Sequence, residues 1–494
     1  MATKRKPDLE SLYRELGYRG PRAPKTRTRG GTPRDFPGAE DLPPLDHEGL
    51  ARLEKMLSRD GKAFLAEFRE AHQLPVSNDE LRQAFGETRE AFTDPDAYVK
   101  KRRAARSQER PPRPRGARAD FPPEIQLYND IVIDPQSHKF EPRADMVGWI
   151  VNAGYQFILR ERLKLMNDKG KFGWHTSDNP FIYDLKNRTG QPEQKISMAL
   201  FSDFGTGLYH SRFIARHMAA LQPDYAIHLG DVYYAGRSTE FEKNFNEPLS
   251  PVFAASRFLA LNANHEMLSG GKPFFNFLAQ RQSRQRPELQ QEGSYFCLRH
   301  ARYQIIGIDT AFHEIGRHHK AELNGWLRQR LEEGKKSSPP LCNILLSQNE
   351  PYDLGEKNFT PLYRDLKKII DNRLIDFWFW GNAHYGALYA KNEAAPFVGS
   401  CIGHGGHPIY RQQIIDNRAK HAELVRKGSA IPPALWVEDG PKFPDHIPGR
   451  PEWKNPRPDL GNHGFCLMEL ENGKIKLTYY DWLQKVRHVA EYPA

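Results

Sequence analysis

From residue 195 onward the chain alternates short, continuous apolar runs with stretches of helical period. The runs are ISMALFS, YAIHLG, RFLALN, CNILLS and IDFWFW, each apolar almost throughout, as a strand covered on both faces should be. After the first run, Tyr209, Phe213, His217 and Leu221 recur at every fourth position, which predicts a helix before the second strand. Near the end, HGFCLMELENGKIKLTYYDW predicts a β-hairpin, because Asn472-Gly473 is a preferred two-residue turn between paired strands. Upstream the pattern is sparser. Leu50, Leu53, Met56 and Leu57 keep helical spacing, as Phe64, Phe68 and Leu74 do more loosely, so residues 46–100 read as a small helical module. Residues 143–166 form a longer candidate helix, dense enough in apolar positions to pack against the strands after it.

Composition bounds the fold without choosing it. The chain has 494 residues, of which 38% are hydrophobic, 27% charged and 11% aromatic, enough for a large core and too apolar for whole-chain disorder. No run of about 18 apolar residues occurs, so no membrane-spanning helix is expected. MATKRKPDLE is not followed by an apolar stretch, which argues against a secretory signal. Cys297, Cys342, Cys401 and Cys466 each lie in an apolar run without a CxxC partner, and read as buried, reduced core residues. A reducing compartment, the cytoplasm, is the expectation.

The net charge of +10 is concentrated. Lys100, Lys101, Arg102, Arg103, Arg106, Arg110, Arg113, Arg115 and Arg118 are opposed only by Glu109, and a second basic cluster runs from Lys4 to Arg34. Both read as solvated segments able to engage nucleic acid or an acidic partner, or to act as solubilising linkers. The expected organisation is a basic N-terminal segment (1–45), the helical module (46–100), a basic Pro/Arg-rich linker (101–142), a helix with strands (143–194) and a main domain (195–494). That last domain carries a Pro-rich insertion at about 411–462, where Trp436 and Trp453 either pack on the domain or face a substrate.

The candidate chemistry lies where the strands stop. The five runs end respectively at Asp203, at Asp231, at Asn264 and His265, at Gln348 and Asn349, and at Asn382 and His384. One polar residue after a strand is ordinary turn chemistry. Five in succession predict a single ligand-dense site, because carboxyl ends of strands in α/β sheets converge on one crevice.

SDFGTG, GDVYY, NHE and GNAH, in this order, resemble the motifs of the calcineurin-like metallophosphoesterase superfamily, in the style of the purple acid phosphatases. The resemblance covers about residues 195–410. It implies an α/β fold, a β-sandwich flanked by helices in four αββα layers, preceded here by a helical or disordered N-terminal extension. It also implies two metal ions per chain (iron, manganese or zinc, with magnesium tolerated) and attack of a metal-held hydroxide on a phosphate mono- or diester. By motif position the first ion falls to Asp203, Asp231, His384 and Tyr234, unless Tyr234 is an ordinary aromatic beside its strand. By the same resemblance Asp231 would bridge, His265 would protonate the leaving group or stabilise the charged phosphoryl group, and Glu266 would orient His265.

Around the second ion the sequence departs from the family pattern. Asp231 and Asn264 are present, but Asn349 and Asn382 stand where histidines are expected, and Gln348 beside Asn349 is also an amide. Amide oxygens hold first-row metals more weakly than imidazoles do. Ala263 replaces a glycine, which would cost about 1 kcal/mol if that backbone needs a positive φ. His404 in SCIGHGGH is a candidate substitute ligand, and the His318-His319 pair reads as solvated or substrate-facing. Three functions are compatible with these residues: a metallophosphoesterase, a non-catalytic relative binding a partner or phosphate ligand, or a nucleic-acid-acting phosphodiesterase recruited by its basic arm. Oligomeric state is not legible.

Overall fold

The structure, a computed structural model, describes residues 169–494 except 188–189, 191–194, 281–290, 439–445, 448–449 and 455–460. The expected N-terminal segment, helical module, basic linker and helix at 143–166 lie outside the described residues.

The strands in chain order are β1 (Ile182–Asp184), β2 (Ile196–Phe201), β3 (Tyr225–His228), β4 (Arg257–Ala260), β5 (Phe296–Arg299), β6 (Tyr303–Gly307), β7 (Cys342–Ser347) and β8 (Phe377–Trp380). They continue as β9 (Gly386–Tyr389), β10 (Val398–Ile402), β11 (Ala434–Val437), the short pair β12 (His446–Ile447) and β13 (Arg450–Lys454), β14 (Gly464–Glu471), β15 (Lys474–Asp481) and β16 (Val486–Pro493). All five predicted strands are present, as β2, β3, β4, β7 and β8. They do not share one sheet. An eight-stranded sheet runs β1-β5-β6-β7-β8-β10-β9-β11, and a six-stranded sheet runs β16-β15-β14-β2-β3-β4.

Alternation within each strand explains why two sheets stack. Met198, Leu200 and Ile227 of one sheet meet Ile344, Leu346, Phe377 and Phe379 of the other in a core between the sheets. Their neighbours Ala199, Phe201 and Phe258 face outward onto α1 (Tyr209–Leu221), the helical run α2 (238–255) and, beyond the four-residue α3 (Asn264–Met267), α4 (Lys272–Ala279). Leu345, Trp378 and Trp380 face outward onto α5 (Ala321–Lys336), α6 (Pro361–Asp365), α7 (Lys367–Asp371) and α8 (Arg411–Arg426). Each of these strands is therefore buried on both faces, which is why the runs read as continuously apolar. The result is the expected four-layer αββα arrangement. The helix α1 lies where its four-residue period predicts, and ends where Gln222 turns left-handed (φ 47°) ahead of Pro223.

The hairpin is β14–β15, turned by Asn472 and Gly473 at φ 50° and 72°, as a type I′ turn requires. The insertion differs from a covering loop in its first part. Residues 411–426 are α8, which buries Ile414 and His421, and β11 extends the edge of the eight-stranded sheet beside β9. Trp436 packs, with its ring 4.6 Å from Tyr479 and stacked on His488. The side chain of Trp453 lies outside the described ones. All four cysteines are buried and unpaired, as expected, and burial pushes the Cys297 and Cys342 thiols up to about 12. Among the described residues no helix is long and apolar enough to cross a membrane.

Candidate metal centre

β2, β3 and β4 run parallel in one sheet, and β7 and β8 run parallel in the other. Their carboxyl ends meet at one edge of the sandwich, so the crevice is shared between two sheets rather than cut into one. Asp203, Asp231, Asn382 and His384 all adopt left-handed backbone, at φ 57°, 78°, 65° and 57°. Such positions cost on the order of 1 kcal/mol each and persist where the surrounding structure over-determines them. Here the strands stop and the chain reverses at once, which aims these side chains back into the crevice.

Asp203, Asp231 and His384 each offer a ligand atom within 4.8 Å of the other two. Asp203 and Asp231 are fully buried. The hydroxyl of Tyr233 donates to Asp203 Oδ1 at 2.7 Å and lies 3.1 Å from both Asp231 Oδ2 and His384 Nε2. The phenol in the centre is thus Tyr233, where the motif spacing had pointed to Tyr234. Tyr234 contributes main chain: its N–H donates to Glu240 Oε1 and its carbonyl accepts from His265 Nδ1. Glu240 also accepts from the N–H groups of Ala235 and Arg237 and from the Arg237 guanidinium, which pins the loop after β3.

The donor set fits a cation. Burial, and then the neighbouring charge of Asp231, push the Asp203 carboxyl well up, while burial pushes Asp231 up to about 6. No lysine or arginine among the described residues pairs with either. Burial, and then nearby His265, lower His384 to about 3, so the imidazole is neutral, the form that binds metals. His407 stacks on His384 with ring centroids 4.0 Å apart, lies 4.5 Å from Tyr233, and donates its main-chain N–H to Asp203 O.

His265 is buried, and its Nδ1–H must donate to the Tyr234 carbonyl, since a carbonyl only accepts. That leaves Nε2 as the atom for proton transfer. The Glu266 carboxylate accepts from the Asp231 N–H at 3.1 and 3.2 Å, so this residue positions Asp231, and the expected orienting role toward His265 falls to the Tyr234 carbonyl instead. Asn264 lies at the crevice, with its Oδ1 buried and without a hydrogen-bond partner.

The amides arrange themselves differently from the motif spacing. Asn349 turns away, its Oδ1 accepting from the Thr310 hydroxyl at 2.9 Å. Gln348 enters the centre in its place, donating to Asp231 Oδ2 at 3.1 Å and to Asn382 Oδ1 at 3.2 Å. Asn382 in turn donates its main-chain N–H to Asp203 Oδ2 at 2.9 Å and its Nδ2 to Glu350 Oε2 at 2.7 Å. Glu350 is pushed up to about 8, first by burial and then by nearby Asp353.

Three smaller expectations change. His404 packs against Gly386 and Gly464 and is not in the ligand cluster. His318 is buried, its ring against the Asp309 carbonyl, and so is not solvated, whereas His319 is exposed. Ala263 has extended backbone (φ −138°), so its side chain costs no strain. The glycine that matters is Gly230 (φ 118°), where a Cβ would lie 2.6 Å from Ala263 Cβ and 2.9 Å from Gln348 Cγ.

No family model and no curated protein sequence matches the chain. Among solved structures it is similar to GAP50, the anchor in the inner membrane complex of Plasmodium, at 11% identity over 61% of this chain and 89% of that one, with a TM-score of 0.43. It is similar to a purple acid phosphatase from yellow lupin (Lupinus luteus) seeds at 12% identity over 61% of this chain and 54% of that one, TM-score 0.41. It is also similar to Vacuolar Protein Sorting 29 from Cryptosporidium parvum, at 12% identity over 61% of this chain and 100% of that one, TM-score 0.27. Identities and scores this low attach no activity to this chain, and its chemistry has to be argued from its own residues.

Proposed function

We propose that the chain is a metal-dependent phosphoesterase acting on phosphate mono- or diesters at the Asp203–Asp231–His384 centre. The observation that carries this reading is the convergence of two buried carboxylates and a neutral imidazole, with no cationic side chain to balance them among the described residues. An iron, manganese or zinc ion would be held by Asp203, Asp231 and His384 and would supply Lewis acidity toward phosphoryl oxygens and lower the pKa of a bound water. Tyr233 holds the two carboxylates in register through its hydroxyl, and Glu266 fixes the Asp231 main chain. His265 presents Nε2 to the leaving oxygen. Burial lowers its basicity in the free protein, and a bound phosphoryl anion reverses that by stabilising the imidazolium, so the proton is carried when substrate is present.

The test is hydrolysis of p-nitrophenyl phosphate and bis-p-nitrophenyl phosphate by chelator-treated protein, with and without added Mn2+ or Zn2+. Activity should return with the ion, and Asp231→Asn or His384→Ala should lower kcat/KM by about 100-fold or more. Full activity without metal, or none with it, refutes the reading. A second reading, a non-catalytic phosphate-binding protein, is favoured by the amide hydrogen bond that Gln348 makes at Asp231. It predicts phosphate binding without turnover. Recruitment of nucleic acid or an acidic partner by residues 4–34 and 100–118 belongs to the same proposal. It requires binding that weakens steeply with salt and is lost on removing those segments.

A further inference from the structure

The motif resemblance implies two ions sharing Asp231, and the residues around the second do not fit one. Any second ion sharing Asp231 would compete with the hydrogen bond that Asp231 Oδ2 already accepts from Gln348 Nε2 at 3.1 Å. The same nitrogen donates to Asn382 Oδ1 at 3.2 Å, so it occupies the space between these two oxygens. An ionised carboxylate only accepts, which fixes the nitrogen of Gln348, not its oxygen, toward Asp231. Asn382 cannot swing clear freely, because its main chain is tied to Asp203 and its Nδ2 to Glu350. Asn349 is committed to Thr310. His404, the candidate substitute imidazole, packs against Gly386 and Gly464 instead of reaching this side of the centre.

We propose that the centre is mononuclear: the side-chain amide of Gln348 stands in place of a second cation, bridging Asp231 and Asn382 by hydrogen bonds. An amide N–H group carries the positive end of a dipole and satisfies an anionic oxygen without a full charge. A single shared carboxylate with neutral amide oxygens offers a second ion too little charge to break both bonds and rotate the amide. Two buried acceptors flank the position, Asn264 Oδ1 and Gln348 Oε1, both without a hydrogen-bond partner.

This inference rests on the metal-dependent reading above, and the experiment separates the two. Full-length chain is stripped with chelator, dialysed to equilibrium against Mn2+ alone, and read by elemental analysis and by electron paramagnetic resonance, which distinguishes isolated from spin-coupled Mn2+. The expected result is one isolated ion per chain for the wild type. The Gln348→His/Asn382→His double variant should take up a second ion, spin-coupled to the first, while Gln348→Ala, a milder change, should remain at one. Two ions in the wild type overturn the mononuclear centre and leave the phosphoesterase reading standing. One ion in a folded double variant overturns the role given to the amide. No ion in the wild type overturns the metal-dependent reading itself, and this inference with it.

Discussion

At the residue scale, adjacent tyrosines show how far spacing can point. Counting three residues from Asp231 selects Tyr234, yet the hydroxyl within reach of Asp203, Asp231 and His384 belongs to Tyr233. A one-residue shift of this kind depends on the path of the loop, which Glu240 sets by accepting three main-chain N–H groups. Tyr233→Phe should weaken Mn2+ binding by about 10-fold, since the buried carboxylates lose a donor worth roughly 1.5–3 kcal/mol. Tyr234→Phe should change it less than about 2-fold, because Tyr234 acts there through its main chain. The reverse order in a titration would return the assignment to Tyr234. The same logic separates Gln348 from Asn349: both are amides at a strand end, and only the side-chain direction beyond β7 decides which one enters the centre.

At the element scale, turns that look alike in sequence do different work. Asn472-Gly473 closes a hairpin whose strands pair from Gly464 with Asp481 to Glu471 with Lys474. Gly473→Ala should lower unfolding free energy by about 1 kcal/mol, through its positive φ alone, and leave ion binding unchanged. Gly230, also at positive φ, abuts Ala263 and Gln348 at the ends of three strands. Gly230→Ala should cost more stability than Gly473→Ala and also weaken ion binding, because the added methyl displaces Gln348 and Ala263 and strains the backbone next to Asp231. Denaturant titration and Mn2+ binding on both variants check the contrast. Equal effects on binding would mean that Gly230 does not position the centre.

At the scale of the whole molecule, the four layers bury neutral histidines far from solvent. His217 sits under Phe465 and Tyr480, and His228 lies between Phe201 and Phe245. Burial lowers them to about 4 and about 3. Above pH 6.5 both are neutral, folded or unfolded, and contribute no pH dependence. As pH falls below 6.5 the unfolded chain takes up protons that the folded chain refuses, so stability drops through that window and levels off only near the folded values. For His217 alone the loss is about 3 kcal/mol at most. The raised carboxyls of Asp231 and Glu350 act in the opposite sense over pH 7.5 to 5, so the histidine contribution is read as a difference: the change in denaturation midpoint should be less negative in His228→Phe, which keeps an aromatic ring in the same niche without a titrating group. An unchanged slope in that variant would assign the acid sensitivity elsewhere.

The apolar runs by themselves determined which segments are strands, because a strand covered on both faces must be apolar at every position. The Asn-Gly turn likewise fixed the hairpin locally, since few other residue pairs tolerate two positive φ values. The polar residues at the strand ends marked Asp203, Asp231 and His384 as candidates for one cluster, and the structure brings those three together. The choices that local pattern left open depended on contacts between segments far apart in the chain. These are the split of five strands between two sheets, Tyr233 over Tyr234, Gln348 over Asn349, and Glu266 on the Asp231 main chain. The sheet split is decided by which strands pair, Tyr233 by the loop that Glu240 pins, and Gln348 and Glu266 by their hydrogen bonds to Asp231, and local composition carries no signal for any of them. The Gln348 amide beside Asp231 exists only because β3, β7 and β8, from two sheets, end at the same edge of the sandwich.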